Sequence, residues 1–131
     1  MNLKLISTLA RYLLGLIFFL SGVAGLLNLI PPPTDMPEKL LTFMNGILAT
    51  GYFFPLLKTT EAICGFLLLS SLAPALALVI LAPISINIFC VHLFLTPGIQ
   101  NLLLPLGIVV LHLLTAIKYW PVYKPLFLRN K

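Results

Sequence analysis

Seven side chains in this sequence combine a reactive type with a setting where reactivity matters: Glu61, His92, Arg11, Asn87 and His112, which interrupt long apolar runs, and the thiols Cys64 and Cys90. An ionisable or polar group inside hydrocarbon is costly, so each of these is a candidate for function. Glu61 stands out. Buried a turn inside an apolar segment, it needs a partner or must carry a proton, and Lys58 at i−3 is the simplest partner on its own helix. The alternative is a carboxyl that handles protons or binds a ligand. His92 is expected at the depth of Glu61 on the antiparallel following helix, where a carboxyl and an imidazole can share a proton near neutral pH. At 100° per residue Asn87 and Cys90 point one way while Ser85 and His92 point roughly opposite, so only one polar pair with the preceding helix is expected, and Glu61 with His92 is the one favoured.

Arg11 falls on a stripe with Gly15, Phe18, Gly22 and Gly25, which reads as a packing seam with an arginine at the membrane interface, or as an anion contact. His112 shares a stripe with Pro105, Ile108, Thr115 and Tyr119 near the level of Arg11, and reads as a hydrogen-bonded buried histidine. Glu61, Cys64, Gly65 and Leu68 form one helical face. The cysteines belong to no CxxC pair and are expected as two free thiols. With no histidines at i, i+3 or i, i+4, haem and di-metal bundle sites lack their usual ligands, so no metal site, no catalytic motif and no cofactor of the chain's own is predicted.

The elements that must hold these groups are membrane spans. Of the 131 residues 60% are apolar and 8% charged, with a mean hydropathy of +1.12, whereas a globular surface needs about 25% charged residues. Lipid is the expected solvent. The net charge of +5 does not mark a nucleic-acid binder, because its placement follows the membrane. Lys4 and Arg11 precede the apolar block and Lys118, Lys124, Arg129 and Lys131 follow it, while Lys39 and Lys58 share a middle segment with Asp35, Glu38 and Glu61.

Spans are predicted over residues 11–30, 54–72, 75–95 and 101–118. The first apolar run, Tyr12 to Ile30, exceeds a signal-peptide core of about 7–15 residues, and no A-x-A-like site follows it. It reads as a retained span, stopped by Pro31, Pro32 and Pro33. Within the connection 31–53, Thr34 or Asp35 can cap a helix with Pro37 in its first turn, and Leu40, Leu41, Met44, Ile47 and Leu48 recur at helical spacing. This is the pattern of an amphipathic helix lying on the membrane surface. Ser70, Ser71 and Pro74 mark one turn and Thr96-Pro97-Gly98 another. Four spans, unlike three, bring both basic ends to the same side, and the positive-inside rule makes it the cytoplasmic one. The connection 31–53 is then periplasmic and the tail 119–131, with its aromatic and basic residues, cytoplasmic. The fold class is a single all-α domain over 1–131: a polytopic four-helix bundle with a short amphipathic outer-surface helix between spans 1 and 2.

The pattern Arg11-x-x-x-Gly15-x-x-Phe18-x-x-Ser21-Gly22, followed by Glu61-x-x-x-Gly65-x-Leu67-Leu68-Leu69 and a histidine late in the third span, resembles the DoxX family of small four-helix membrane proteins. The resemblance covers nearly the whole chain in layout. It implies a bundle in the bacterial inner membrane, in a family named for a subunit of a thiosulfate:quinone oxidoreductase and found beside other redox proteins, with an animal relative that assembles nicotinic receptors. Family residues map onto Arg11, Gly15, Gly22, Glu61 and Gly65. Many members carry a lysine where this chain has Gly25, a departure that removes one partner for Glu61.

Three functions follow as expectations. The first is an accessory subunit of a membrane redox system, without catalysis of its own, holding quinone or another hydrophobic small molecule near Glu61 and His92. The second is an assembly factor that binds other membrane proteins through the glycine-lined first span. The third is a thiol enzyme using Cys64 and Cys90. Partners are the lipid bilayer, other proteins of a redox complex and further copies of the chain.

Overall fold

The computed structural model describes residues 2–128 and is all-α. Arg129 and Lys131, counted above among the basic residues of the tail, lie outside the described residues. Four long helices, α1 (Leu3–Leu26), α3 (Phe53–Ser70), α4 (Pro74–Phe94) and α5 (Leu103–Lys118), form the bundle; α2 (Glu38–Ala49) lies in the first connection and α6 (Trp120–Tyr123) follows the last span. A 3-10 turn over Ile99–Leu102 extends the fourth span. All four spans are long and apolar enough to cross a membrane, and they make the chain a multi-pass membrane protein.

The helix ends differ from expectation in three places. α1 begins at Leu3, eight residues before the predicted boundary at 11, because Asn2 caps it by accepting from the Lys4 N–H at 3.1 Å, and Lys4 and Arg11 do not break a helix. It also ends at Leu26, before the prolines. Asn28 adopts a left-handed φ of 53°, its N–H bonds to the Gly25 carbonyl and the Leu29 N–H reaches back to Ala24, the paired bonds of a Schellman cap. α2 starts after Pro37, with no side-chain cap from Thr34 or Asp35.

α1 packs on α3 and α5, and α4 packs on the same two helices, giving the ring order α1–α3–α4–α5. The α1–α3 seam is the closest. Gly22 lies against the backbone of Ala62 and Gly65 against that of Phe19, and a Cβ on Gly15 would sit 2.9 Å from that of Leu68. Small residues on both helices let the backbones approach, the main route to tight helix association in lipid. The predicted faces are the buried ones: Arg11, Gly15, Phe18 and Gly22 on α1; Glu61, Cys64, Gly65 and Leu68 on α3; Pro105, Ile108, His112 and Thr115 on α5. Outward-facing positions such as Leu13, Leu20, Phe66, Ile86 and Leu113 are exposed, as a lipid-facing surface requires.

The two ends of the bundle are built differently. At the end carrying the termini, the Ser7 hydroxyl donates to the Leu114 carbonyl at 2.8 Å, the Tyr123 hydroxyl donates to the Ala75 carbonyl at 2.7 Å, and the core runs through Leu14, Phe18, Leu68, Ala77, Leu78 and Leu81. At the other end α2 lies over the bundle with no fully buried residue of its own.

Candidate functional site

Beneath α2 the four spans line a half-open cavity of about 620 Å³. Ile17, Leu57, Ile84 and Ile108 contribute apolar wall from one span each, and Leu40, Phe43, Met44 and Ile47 contribute the face of α2 that closes it. The amphipathic spacing of α2 is thereby explained: its apolar side covers this space, while Leu41 and Leu48 face outward.

One wall is polar. Glu61, only 3% exposed, accepts at Oε2 from the Ser21 hydroxyl at 3.0 Å and from the Lys58 ammonium at 3.0 Å, and Lys58 also donates to Ser21 Oγ at 3.1 Å. The carboxylate is therefore paired with Lys58, the simplest partner on its own helix. Gly25 is what admits the lysine: a Cβ at that position would stand 2.5 Å from Lys58 Cδ, so the missing side chain leaves the channel along which the lysine stem runs. The cation comes from the helix of Glu61 itself.

His92 and Asn87 line the same cavity, yet neither bonds Glu61. The expected Glu61–His92 pair is corrected: the imidazole turns back on its own helix and donates from Nδ1 to the Ile88 carbonyl at 2.8 Å. Asn87 and His92 do point in roughly opposite directions, yet both line the cavity. They are about 140° apart on the helix, but the cavity takes half the circumference of α4, from Pro83 at one margin, with Asn87 beside it, to His92 at the other.

Arg11 and His112 lie towards the end of the bundle that carries the termini. Arg11, 5% exposed, donates to the Leu68 carbonyl at 2.6 Å and to the Ser71 hydroxyl, and its guanidinium carbon stands 4.4 Å from the Tyr12 ring centroid. It closes the end of α3, where Ser71 adopts a left-handed φ of 62°. Its Nε is buried without a partner among the described residues. His112 Nδ1 and Ser85 Oγ are 3.1 Å apart in the core between α4 and α5. His112 also borders a larger groove of about 820 Å³, whose wall of Leu78, Ala82, Ala116, Trp120 and Phe127 is almost wholly carbon. Cys64 is buried, Cys90 half-buried, and both are free thiols.

Ser21 is the site residue that its sequence position did not single out. The available signal was a hydroxyl beside Gly22 on the packing seam, since serine in a membrane helix acts as a hydrogen-bonding link between helices. No family model matches the chain, and searches of the curated proteins and of the solved structures likewise return no match.

Proposed function

We propose that this multi-pass membrane protein binds a hydrophobic small molecule in the cavity beneath α2, with its polar head at Ser21, Glu61 and Lys58. One observation carries the reading: a chamber of about 620 Å³ whose walls are carbon except for this hydrogen-bonded cluster and its neighbours Asn87 and His92. Ligand sites have this composition, an apolar lining with a few convergent polar groups that set orientation. The larger groove beside His112 has the lining without a comparable cluster.

The resemblance to DoxX supports a finer reading, in which the chain is an accessory subunit of a redox system in the bacterial inner membrane and the ligand is a quinone or a similar carrier. The basic residues at both chain ends support cytoplasmic termini and a periplasmic α2. The alternative of an assembly factor was drawn from the glycines of α1, but Gly15 and Gly22 face α3 within the chain and leave leucines on the lipid side.

Protein purified in mild detergent and extracted with organic solvent is expected to yield one amphiphile in stoichiometric amount by mass spectrometry, reduced in a Glu61→Gln variant. Equal recovery of the same mixed lipids from both proteins would overturn the reading.

A further inference from the structure

The hydrogen bonds already made around the cavity restrict the head group it accepts. Ser21 gives its single hydrogen to Glu61 Oε2, and Lys58 directs its ammonium at Ser21 Oγ and Glu61 Oε2. Every bond to the carboxylate thus falls on one oxygen. Glu61 Oε1 has no partner among the described residues, although the residue is 97% removed from solvent (3% exposed) and lines the chamber. A paired carboxylate can only accept, so this oxygen is an unfilled acceptor.

His92 supplies a second one. The Ile88 carbonyl is an acceptor, so the ring nitrogen facing it at 2.8 Å must carry the hydrogen. In the neutral ring Nε2 is then a bare lone pair, and no residue bonds it among those described. Glu61 is buried and His92 half-buried, and each offers the cavity an acceptor that no donor of the described residues fills; two such acceptors lining one cavity point to a ligand that donates.

Charge narrows the choice further. Lys58 and Glu61, 3.0 Å apart, already neutralise one another. A carboxylate or phosphate head would bring its charge against Glu61 Oε1, and an ammonium head would meet the Lys58 ammonium. A head with only carbonyl oxygens has no hydrogen for either acceptor, so of a quinone carrier only the reduced, hydroxyl-bearing form fits.

We propose that the cavity selects an uncharged amphiphile with a hydroxyl head, a phenol or an alcohol, which donates to Glu61 Oε1 with His92 Nε2 as the second acceptor. The tail lies along the carbon wall of Ile17, Leu57, Ile84 and Ile108, beneath Phe43 and Met44. The proposal rests on the cavity being a ligand site and adds the class of head group.

The test uses the full chain in detergent and three probes of matched tail: 4-nonylphenol, its methyl ether and decanoate, each titrated by calorimetry against empty micelles. The phenol is expected to bind saturably at one per chain, the ether about tenfold more weakly, reflecting one lost hydrogen bond to a charged acceptor, and decanoate not at all. Glu61→Gln should collapse the phenol-to-ether ratio towards one, and His92→Phe should reduce it partway. A ratio taken on one preparation reports head-group choice whatever fraction of the protein is folded. Equal binding of phenol and ether to the unaltered chain, or preference for decanoate, overturns the hydroxyl proposal and leaves the ligand site standing. Saturable binding by none of the three, with an empty solvent extract, overturns both.

Discussion

Arg11 and Glu61 are both buried groups of the kind that hydrocarbon excludes, one at each end of the same bundle, and the chain treats them oppositely. At the terminal end the guanidinium, 5% exposed, meets the Leu68 carbonyl and Ser71 on the half of the bundle that holds Leu14, Phe18 and Leu68 of the buried core. At the α2 end the carboxylate is held at one oxygen by Ser21 and Lys58, and the space beside it is left open. The first arrangement closes a structure and the second presents a surface. Burial of a charged residue in a membrane bundle therefore does not identify function by itself; what distinguishes the two is whether the neighbouring volume is occupied.

If the terminal half and its α1–α3 seam carry the stability and the α2 half the binding, substitutions should separate accordingly. The largest loss is expected for Gly65→Leu, which drives a side chain into the backbone of Phe19. Overpacking against backbone costs about 3 kcal/mol or more, seen as failure to recover a monodisperse protein or a large fall in Tm in detergent. Arg11→Met comes next. It leaves the Leu68 carbonyl and Ser71 without their donor, a loss of about 1–3 kcal/mol, and thermal unfolding should show it while probe binding beneath α2 is unchanged.

Tyr123→Phe removes the bond from α6 to Ala75 and should cost about 1 kcal/mol. This contact has a pH dependence of definite sign. Burial, and secondarily the nearby Tyr119, push the Tyr123 phenol from 10 up to about 12. A raised folded value means that its contribution is complete below pH 10 and is lost as pH rises through about 12. Ultraviolet titration of tyrosinate should show one late phenol, absent in the variant. The smallest effect on stability belongs to Phe43→Ala on α2, within about 0.5 kcal/mol because that helix buries nothing completely, yet ligand release should quicken. If Phe43→Ala unfolds the bundle as Gly65→Leu does, the division between the halves is wrong.

Much of this architecture is written in spacing. The faces of α1, α3 and α5 follow from a 100° step, which holds in lipid as in water, and the count of four spans follows from where the charges stand. Helix ends were less legible. Asn28 ends α1 by taking a left-handed conformation, a choice its neighbours decide, so Pro31 was the more visible but mistaken stop. For the site, the common depth of Glu61 and His92 was readable and their bonding was not. The turn of His92 onto Ile88 is a rotamer, and the room for Lys58 exists only because Gly25 of another helix faces it. Such facts arise from packing between segments distant in sequence.

The central claim is that the open half, not the larger carbon-lined groove beside His112, receives the ligand. A photoreactive long-chain phenol, irradiated on the purified chain and mapped by peptide mass spectrometry, addresses it directly. Adducts should concentrate on the cavity wall, at Leu57, Ile84 and Val91, and be displaced by unlabelled phenol. Adducts centred on Ala116 and Trp120, or spread evenly over the lipid-facing leucines, would place the ligand elsewhere and sink the account.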